Sequence, residues 1–265
     1  MYEAFYGLKE RPFNKTPDPR FLYQSKKHAE ALARLQMAVE DQDIVLLTGE
    51  IGSGKTTLSR ALIDSMGDAF RAVLIINPRL SPSQLLRTVA LRLGMDEATK
   101  HKHGLLDGIN ARLYELYEAG TRPALIIDEA QLIPGKATFE EIRLLTNFQL
   151  DDRNLLALVL IGQTELRDRL DRKQYKALRQ RIGMSFHLGP LDEAETREYV
   201  AYRLKVAGRE SPLFDDGALA TLYAHSEGIP RRINVIAGNA LLEGFGRGAE
   251  MIGAEIIEDV AREGK

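Results

Sequence analysis

Ile44-Val45-Leu46-Leu47-Thr48-Gly49-Glu50-Ile51-Gly52-Ser53-Gly54-Lys55-Thr56-Thr57 runs from an aliphatic tetrapeptide into a glycine-rich turn that ends in Gly-Lys-Thr. A glycine, four residues and Gly-Lys-Ser/Thr form the P-loop template, which carries weight when a strand precedes it and a helix follows. Ile44 to Leu47 suits a short buried parallel strand, and Lys55 to Met66 carries Leu58, Ala61 and Leu62 at helical spacing. Gly49, Gly52 and Gly54 allow a tight turn whose amide N–H groups, with the positive helix N-terminus beyond, cradle phosphate oxygens. Lys55 adds a point charge for the β- and γ-phosphates, and the Thr56 hydroxyl is placed to ligate magnesium. The expected nucleotide-binding set is therefore Gly49, Glu50, Gly52, Ser53, Gly54, Lys55, Thr56 and Thr57, with ATP and Mg2+ as ligands.

Composition narrows the class. At 265 residues the chain exceeds the usual single-domain size, which favours one large and one small domain. Hydrophobic residues make up 44% and charged residues 28%, the proportions of an ordinary globular protein. Zero cysteines exclude disulfides and thiolate zinc sites and fit a reducing compartment. No run approaches the ~18 consecutive apolar residues of a membrane span, and Met1-Tyr2-Glu3 begins no signal peptide. These features lead to the expectation of a cytoplasmic chain. A formal net charge of −2 argues against nucleic-acid binding through bulk charge and leaves a local basic patch open.

Along the chain, the first 25 residues are rich in rings and prolines, which predicts an ordered, irregular segment. Phe5, Tyr6, Phe13, Phe21 and Tyr23 either staple this segment to the core or, in part, wall the adenine base. Ser25 reads as the N-cap of a helix reaching about Glu40, with Leu32, Leu35 and Val39 on one face. A second strand is expected at Ala72 to Ile76, then a capped helix from Ser81-Pro82 to about Leu93 and another from about Leu105 to Glu118. His101 and His103 between them have no third metal ligand in view and read as a solvated loop.

The third apolar strand, Ala124 to Ile127, ends in Asp128-Glu129. An acidic pair at the carboxyl end of a buried strand lies at the edge of an open α/β sheet where ligands bind. Asp128 then serves the magnesium shell, and Glu129 orients or deprotonates the attacking water. Strand and helix alternation implies a parallel sheet with helices on both faces.

Beyond this point the residues carry a resemblance. Asp128-Glu129-Ala130-Gln131-Leu132, Phe139-Glu140-Glu141-Ile142-Arg143-Leu144-Leu145-Thr146-Asn147-Phe148 and Leu160-Ile161-Gly162-Gln163-Thr164-Glu165-Leu166 resemble the AAA+ ATPases of the ExeA/GspA family. Phe5-Tyr6-Gly7-Leu8, Pro12-Phe13 and Thr16-Pro17-Asp18-Pro19 are similar to that family's N-terminal signature. The resemblance covers essentially the whole chain. It implies a P-loop NTPase (AAA+) α/β fold, a parallel sheet sandwiched by helices and followed by a small all-helical lid domain. The expected division is 1–42 as signature segment and helix packing on the core, 43–189 as the P-loop core and 190–265 as the lid.

The resemblance also implies roles. Gln163, just past a strand expected at Leu155 to Ile161, falls where the class carries its first sensor, although glutamine replaces the commoner asparagine. Arg181 best resembles the finger that enters a neighbouring subunit's site in trans, with Arg179 second. A guanidinium there stabilises charge on the transferring phosphoryl group and makes activity depend on a homo-oligomer. Arg231, on the first turn of a helix opened by Pro230, resembles the second sensor, whereas Arg232 falls on an adjacent face. Asp192 and Glu195 form a capping-box-like start to the first lid helix, and further helices are expected at Asp216 to Ser226, Pro230 to Leu242 and Ala254 to Ala261.

What the ATPase drives has three readings. By resemblance it is a motor or switch for a type II secretion or export machine at the inner face of the bacterial membrane, with a membrane-complex partner protein. Members of the family continue into a membrane span and a peptidoglycan-binding domain, which this sequence does not contain. A second reading, similar to the TnsC and MuB transposition ATPases, takes duplex DNA as partner. It draws on Arg167, Arg169, Arg172, Lys173, Lys176, Arg179 and Arg181, set against Asp168 and Asp171 alone. The third is a nucleotide-gated interaction module with slow hydrolysis.

Overall fold

The computed structural model describes residues 1–14, 18–95 and 102–263. Thr16 and Pro17 of the N-terminal signature, and His101, lie outside the described residues. In chain order the elements are α1 (Tyr2–Phe5), α2 (Lys26–Glu40), β1 (Ile44–Gly49), α3 (Lys55–Ser65), β2 (Phe70–Ile75), α4 (Pro82–Arg92) and α5 (Lys102–Glu118). Then come β3 (Arg122–Ile127), α6 (Lys136–Leu145), β4 (Ala157–Gly162), α7 (Thr164–Leu170), α8 (Lys176–Arg179) and β5 (Met184–Leu188). The chain closes with α9 (Glu193–Val206), α10 (Asp216–Ser226), α11 (Pro230–Arg247) and α12 (Ala254–Glu263). The backbone at Lys102 and His103 is already helical, where a loop was expected.

The five strands form one parallel sheet in the order β2-β3-β4-β1-β5. Side chains alternate across a strand, so each strand feeds two cores. Leu46, Leu125, Ile127, Leu158 and Leu160 point to one face and pack with Leu86 and Val89 of α4, Ile109 of α5 and Ile142 of α6. Val45, Leu47, Ala124, Ile126, Val159 and Ile161 point to the other face and pack with Leu35 of α2 and Leu58 and Leu62 of α3. Strands covered on both faces read as continuous aliphatic runs, and every residue of β1 and β4 is buried. This is the P-loop NTPase architecture, a parallel sheet sandwiched by helices.

By contact the chain divides into an α/β unit, residues 30–49 and 58–188, and a helical unit, residues 1–29, 50–57 and 189–265. The N-terminal segment, expected to pack on the α/β core as part of residues 1–42, is thus split near residue 29. The physical reason is its rings. Tyr2, Tyr6, Phe13 and Phe21 are buried in the core of α9, α10, α11 and α12, beside Tyr199, Leu204, Phe214 and Leu241. Arg203 joins the two ends of this unit. Its Nε donates to Pro12 O at 2.5 Å and its Nη1 to Tyr199 Oη at 2.8 Å, while its guanidinium lies 4.7 Å from the Phe21 ring centre. Tyr199 Oη in turn donates to Asn234 Oδ1 on α11 at 2.8 Å. Burial raises the pKa of Tyr199, so the phenol stays protonated and able to donate. Asp192 and Glu195 form the reciprocal capping box that opens α9.

Candidate nucleotide site

Parallel pairing places the carboxyl ends of β1, β3 and β4 on one edge of the sheet. Thr48 of β1 lies opposite Gly162 of β4, and Ile127 of β3 lies opposite Leu160. Because β4 runs between β1 and β3, Gln163 leaves the edge between Gly49 and Asp128. Three of the site residues expected from sequence are therefore brought to one rim, the edge at which open α/β sheets bind ligands.

The loop Glu50 to Thr57 follows Gly49 directly and belongs to the helical unit. Its turn closes through Ser53 N donating to Glu50 O at 3.1 Å, and Lys55 Nζ donates to the same carbonyl at 2.8 Å. Lys55 is buried to 6% exposure, which holds its ammonium inside the loop. Ser53 Oγ is also buried and has no hydrogen-bond partner among the described residues. An orphaned buried hydroxyl of this kind fits a ligand that supplies the missing contact. Gly52 takes φ +85°, and a Cβ there would overlap Cβ of Arg231. That overlap shows how closely α11 docks: Arg231 N donates to Gly52 O at 3.2 Å, with its side chain exposed. A cleft of about 880 Å³ opens beside the loop, lined in part by Glu50, Ile51, Ile229, Arg231 and Arg232. Arg232 is ion-paired with Glu227.

On the α/β unit Asp128 is 2% exposed, its amide donating to Ile75 O at 2.9 Å and its Oδ1 accepting from Glu129 N at 2.8 Å. Glu129 itself takes φ +53°, a left-handed conformation uncommon for a non-glycine residue. Its Oε2 accepts from Gln131 Nε2 at 2.5 Å and from Gln163 Nε2 at 3.4 Å. Gln131 Oε1 accepts from Gln163 N at 3.1 Å, closing a small amide ring around the carboxylate. The sequence reading singled out Gln163 and gave no role to Gln131, whose only signal is its place two residues after Glu129.

The basic window separates into residues with different work. Arg169 turns inward: Nη1 donates to Gln131 O at 3.1 Å and Ile133 O at 2.6 Å, and the guanidinium stacks 4.8 Å from the Phe139 ring centre and 5.6 Å from that of Tyr175. Arg179 pairs with Asp171 at 3.0 Å. Arg181 donates through Nη1 to the carbonyl and hydroxyl of Thr146, the residue capping the C-terminus of α6, at 2.9 and 3.1 Å. Arg167, Arg172, Lys173 and Lys176 are exposed.

Among the described residues no cluster of three or more His, Cys, Asp or Glu side chains forms an all-protein metal site. Magnesium is usually held through one or two protein oxygens together with substrate phosphates, and the Thr56 hydroxyl and Asp128 carboxylate are hard oxygen donors of that kind. Among the described residues no helix is long and apolar enough to cross a membrane.

Residues 37–170 match the protein family described as AAA domain. General secretion pathway protein A of Aeromonas hydrophila is 43% identical over 256 residues, covering 95% of this chain and 46% of its own length. The chain thus spans somewhat less than half of that curated relative. Among solved structures, a chain of Drosophila ORC bound to DNA superposes with a TM-score of 0.70 at 17% identity, over 95% of this chain and 63% of its own. The Aeropyrum pernix ORC2 protein in its ADPNP-ADP complexes gives 0.69 at 18%, over 97% and 72%. The Thermotoga maritima RuvB Holliday junction branch migration motor gives 0.58 at 21%, over 96% and 73%. At these identities the structural likenesses concern the fold.

Proposed function

Because the chain belongs to the AAA family of P-loop ATPases, and within it to the ExeA/GspA group, we propose that it hydrolyses ATP with magnesium as an oligomer. The observation that carries the reading is the amide ring of Gln131 and Gln163 holding the Glu129 carboxylate at the head of β3. In the proposed mechanism the loop amides and Lys55 bind the phosphates. Thr56 and Asp128 would hold a magnesium ion, which would supply charge neutralisation for the phosphate oxygens. Glu129 takes the proton of the attacking water, and Gln163 keeps that carboxylate and water oriented. Arg231 answers the γ-phosphate from α11, and Arg181 enters a neighbouring copy's site, where a finger of this kind is worth ~10³-fold or more in rate.

The work proposed for this cycle is assembly or switching of a secretion-linked complex at the cytoplasmic face of the membrane, by similarity to General secretion pathway protein A. Lys55→Ala is expected to lose ATP binding, whereas Glu129→Gln keeps ATP and traps it. Equal ATP affinity in wild type and Lys55→Ala would sink the assignment of the loop. ATPase rate per subunit is expected to rise with protein concentration and to ignore duplex DNA. A rate that jumps only with DNA, through the exposed Arg167, Arg172, Lys173 and Lys176, moves the function to a DNA-linked regulator. Turnover well below ~1 s⁻¹ even when assembled moves it to a nucleotide-gated interaction module.

A further inference from the structure

A loop that turns its amide N–H groups toward phosphate turns its carbonyl oxygens toward the protein, and buried carbonyls need donors there. Three such oxygens have them. Glu50 O accepts from Ser53 N and Lys55 Nζ, and Gly52 O from Arg231 N. Ser53 O accepts from Nε2 of His28 at 3.0 Å. This last donor is a side chain near the start of α2, far away in sequence and 4% exposed.

The ring is held from its other side. Nδ1 lies 2.8 Å from Ser25 Oγ, which also accepts from His28 N at 3.3 Å. A carbonyl only accepts, so Nε2 carries the proton; in the neutral imidazole Nδ1 then receives the serine hydroxyl. Burial, the largest influence, keeps its pKa below the ordinary histidine value, in keeping with that state. Gly54 takes φ +102°, and a Cβ there would come 2.9 Å from His28 Nε2. The third glycine of the loop thus makes room for this ring.

We propose that His28 is a positioning residue of the nucleotide site, acting through the Ser53-Gly54 peptide. The peptide unit is planar and trans, so Ser53 C=O and Gly54 N–H point in opposite directions from one rigid plane. Fixing the carbonyl on His28 aims the amide toward the phosphates. The inference rests on the reading of the loop as the ATP site and adds what orients it.

The test compares wild type, His28→Leu, His28→Gln and Lys55→Ala by isothermal titration with ADP and with ATP, alongside thermal unfolding and steady-state ATPase. Leucine fills similar space without a donor, whereas the glutamine amide reaches the same carbonyl. His28→Leu is expected to weaken ADP and ATP alike by about tenfold, the worth of one net hydrogen bond, and His28→Gln to recover most of it. KM should follow the affinity while kcat at saturation changes little. Nucleotide affinity equal to wild type in His28→Leu, with binding lost in Lys55→Ala, overturns the role of His28 and leaves the loop reading standing. Wild-type affinity in Lys55→Ala removes the loop reading itself. Equal losses in His28→Leu and His28→Gln, with a matching fall in melting temperature, reduce His28 to a packing residue. If His28→Leu does not fold, His28→Asn, too short to reach Ser53 O, carries the same expectation.

Discussion

Replacing Arg169 with alanine should damage both the stability of the α/β unit and its chemistry, in a ratio that can be worked out. The guanidinium donates to Gln131 O and Ile133 O and covers the rings of Phe139 and Tyr175. Hydrogen bonds from a charged donor contribute about 1.5–3 kcal/mol each, and a cation over an exposed ring about 0.5–1 kcal/mol. Arg169 is only half-buried, so water replaces part of what is lost. The low end of each range is appropriate, and the net cost is about 2–4 kcal/mol. For a unit of this size each kcal/mol moves the melting temperature by roughly 2–4 °C, giving a fall of about 4–16 °C by calorimetry. The second effect follows from what the turn carries. Gln131 holds the Glu129 carboxylate, so a loosened turn should lower kcat about tenfold while ATP affinity stays near wild type. Arg169→Lys keeps a charge and a nitrogen donor for the two carbonyls but loses the flat guanidinium that lies over Phe139 and Tyr175, and should recover only part of either effect. An alanine variant with unchanged melting temperature and unchanged kcat refutes the reasoning. A variant that loses ATP affinity and kcat equally shows that Arg169 acts on binding instead.

Three other outcomes are expected. Gly52→Ala meets a left-handed backbone, costing ~1–2 kcal/mol, and the Cβ of Arg231, so calorimetry should show ATP binding lost in a chain that keeps its circular dichroism; binding within threefold of wild type counts against the close docking of α11. Arg181→Ala and Glu129→Gln are each expected to be inactive alone, while mixtures recover ATPase activity because one interface can combine an intact finger with an intact acid; a flat response over all ratios argues that Arg181 does not act between subunits. Because His28 has a depressed pKa, the unfolded chain binds its proton first, so stability present above the unfolded value of about 6.5 is lost as pH falls through the folded value. Glu195 opposes this depression and Lys27 adds to it, and urea midpoints measured from pH 8 to 5 should fall more steeply in wild type than in His28→Gln.

The fold was legible because its cause is local and repetitive. Ile44 to Leu47, Ala124 to Ile127 and the run ending at Ile161 are continuous aliphatic stretches, and only a strand covered on both faces tolerates that pattern without alternation. The spacing of Gly49, Gly52, Gly54 and Lys55 carried the loop for a similar reason, since backbone geometry dictates residue type there. The N-terminal rings were legible as anchors but not in what they anchor to. Phe13 and Phe21 pack with residues near Phe214 and Arg203, a pairing set by tertiary structure across nearly two hundred positions. The α6 helix went unnoticed because Gly135 gives it no side-chain cap, so its start has no signature in sequence. The roles of His28, Gln131 and Arg169 were missed for one shared reason: each bonds at least one backbone group distant in the chain, Ser53 O, Gln163 N and Gln131 O respectively, and a contact of that kind leaves no mark on spacing.

The same point bears on what the basic window can do. Counted in sequence, Arg167 to Arg181 offers seven cations, and a duplex neutralised by all seven would release enough counterions for a salt slope of about −6. Counted with partners, Arg169 is occupied by two carbonyls and two rings, Arg179 by Asp171 and Arg181 by Thr146. The four exposed cations that remain support a slope no steeper than about −4, from a cluster without stacking aromatics, since Tyr175 is buried against Phe139. The partners of the other three are the turn after Glu129, a neighbouring acid and the cap of α6. Three of the seven cations are thus engaged within the protein, and a salt slope steeper than about −4 would require Arg169, Arg179 or Arg181 to leave its partner for DNA.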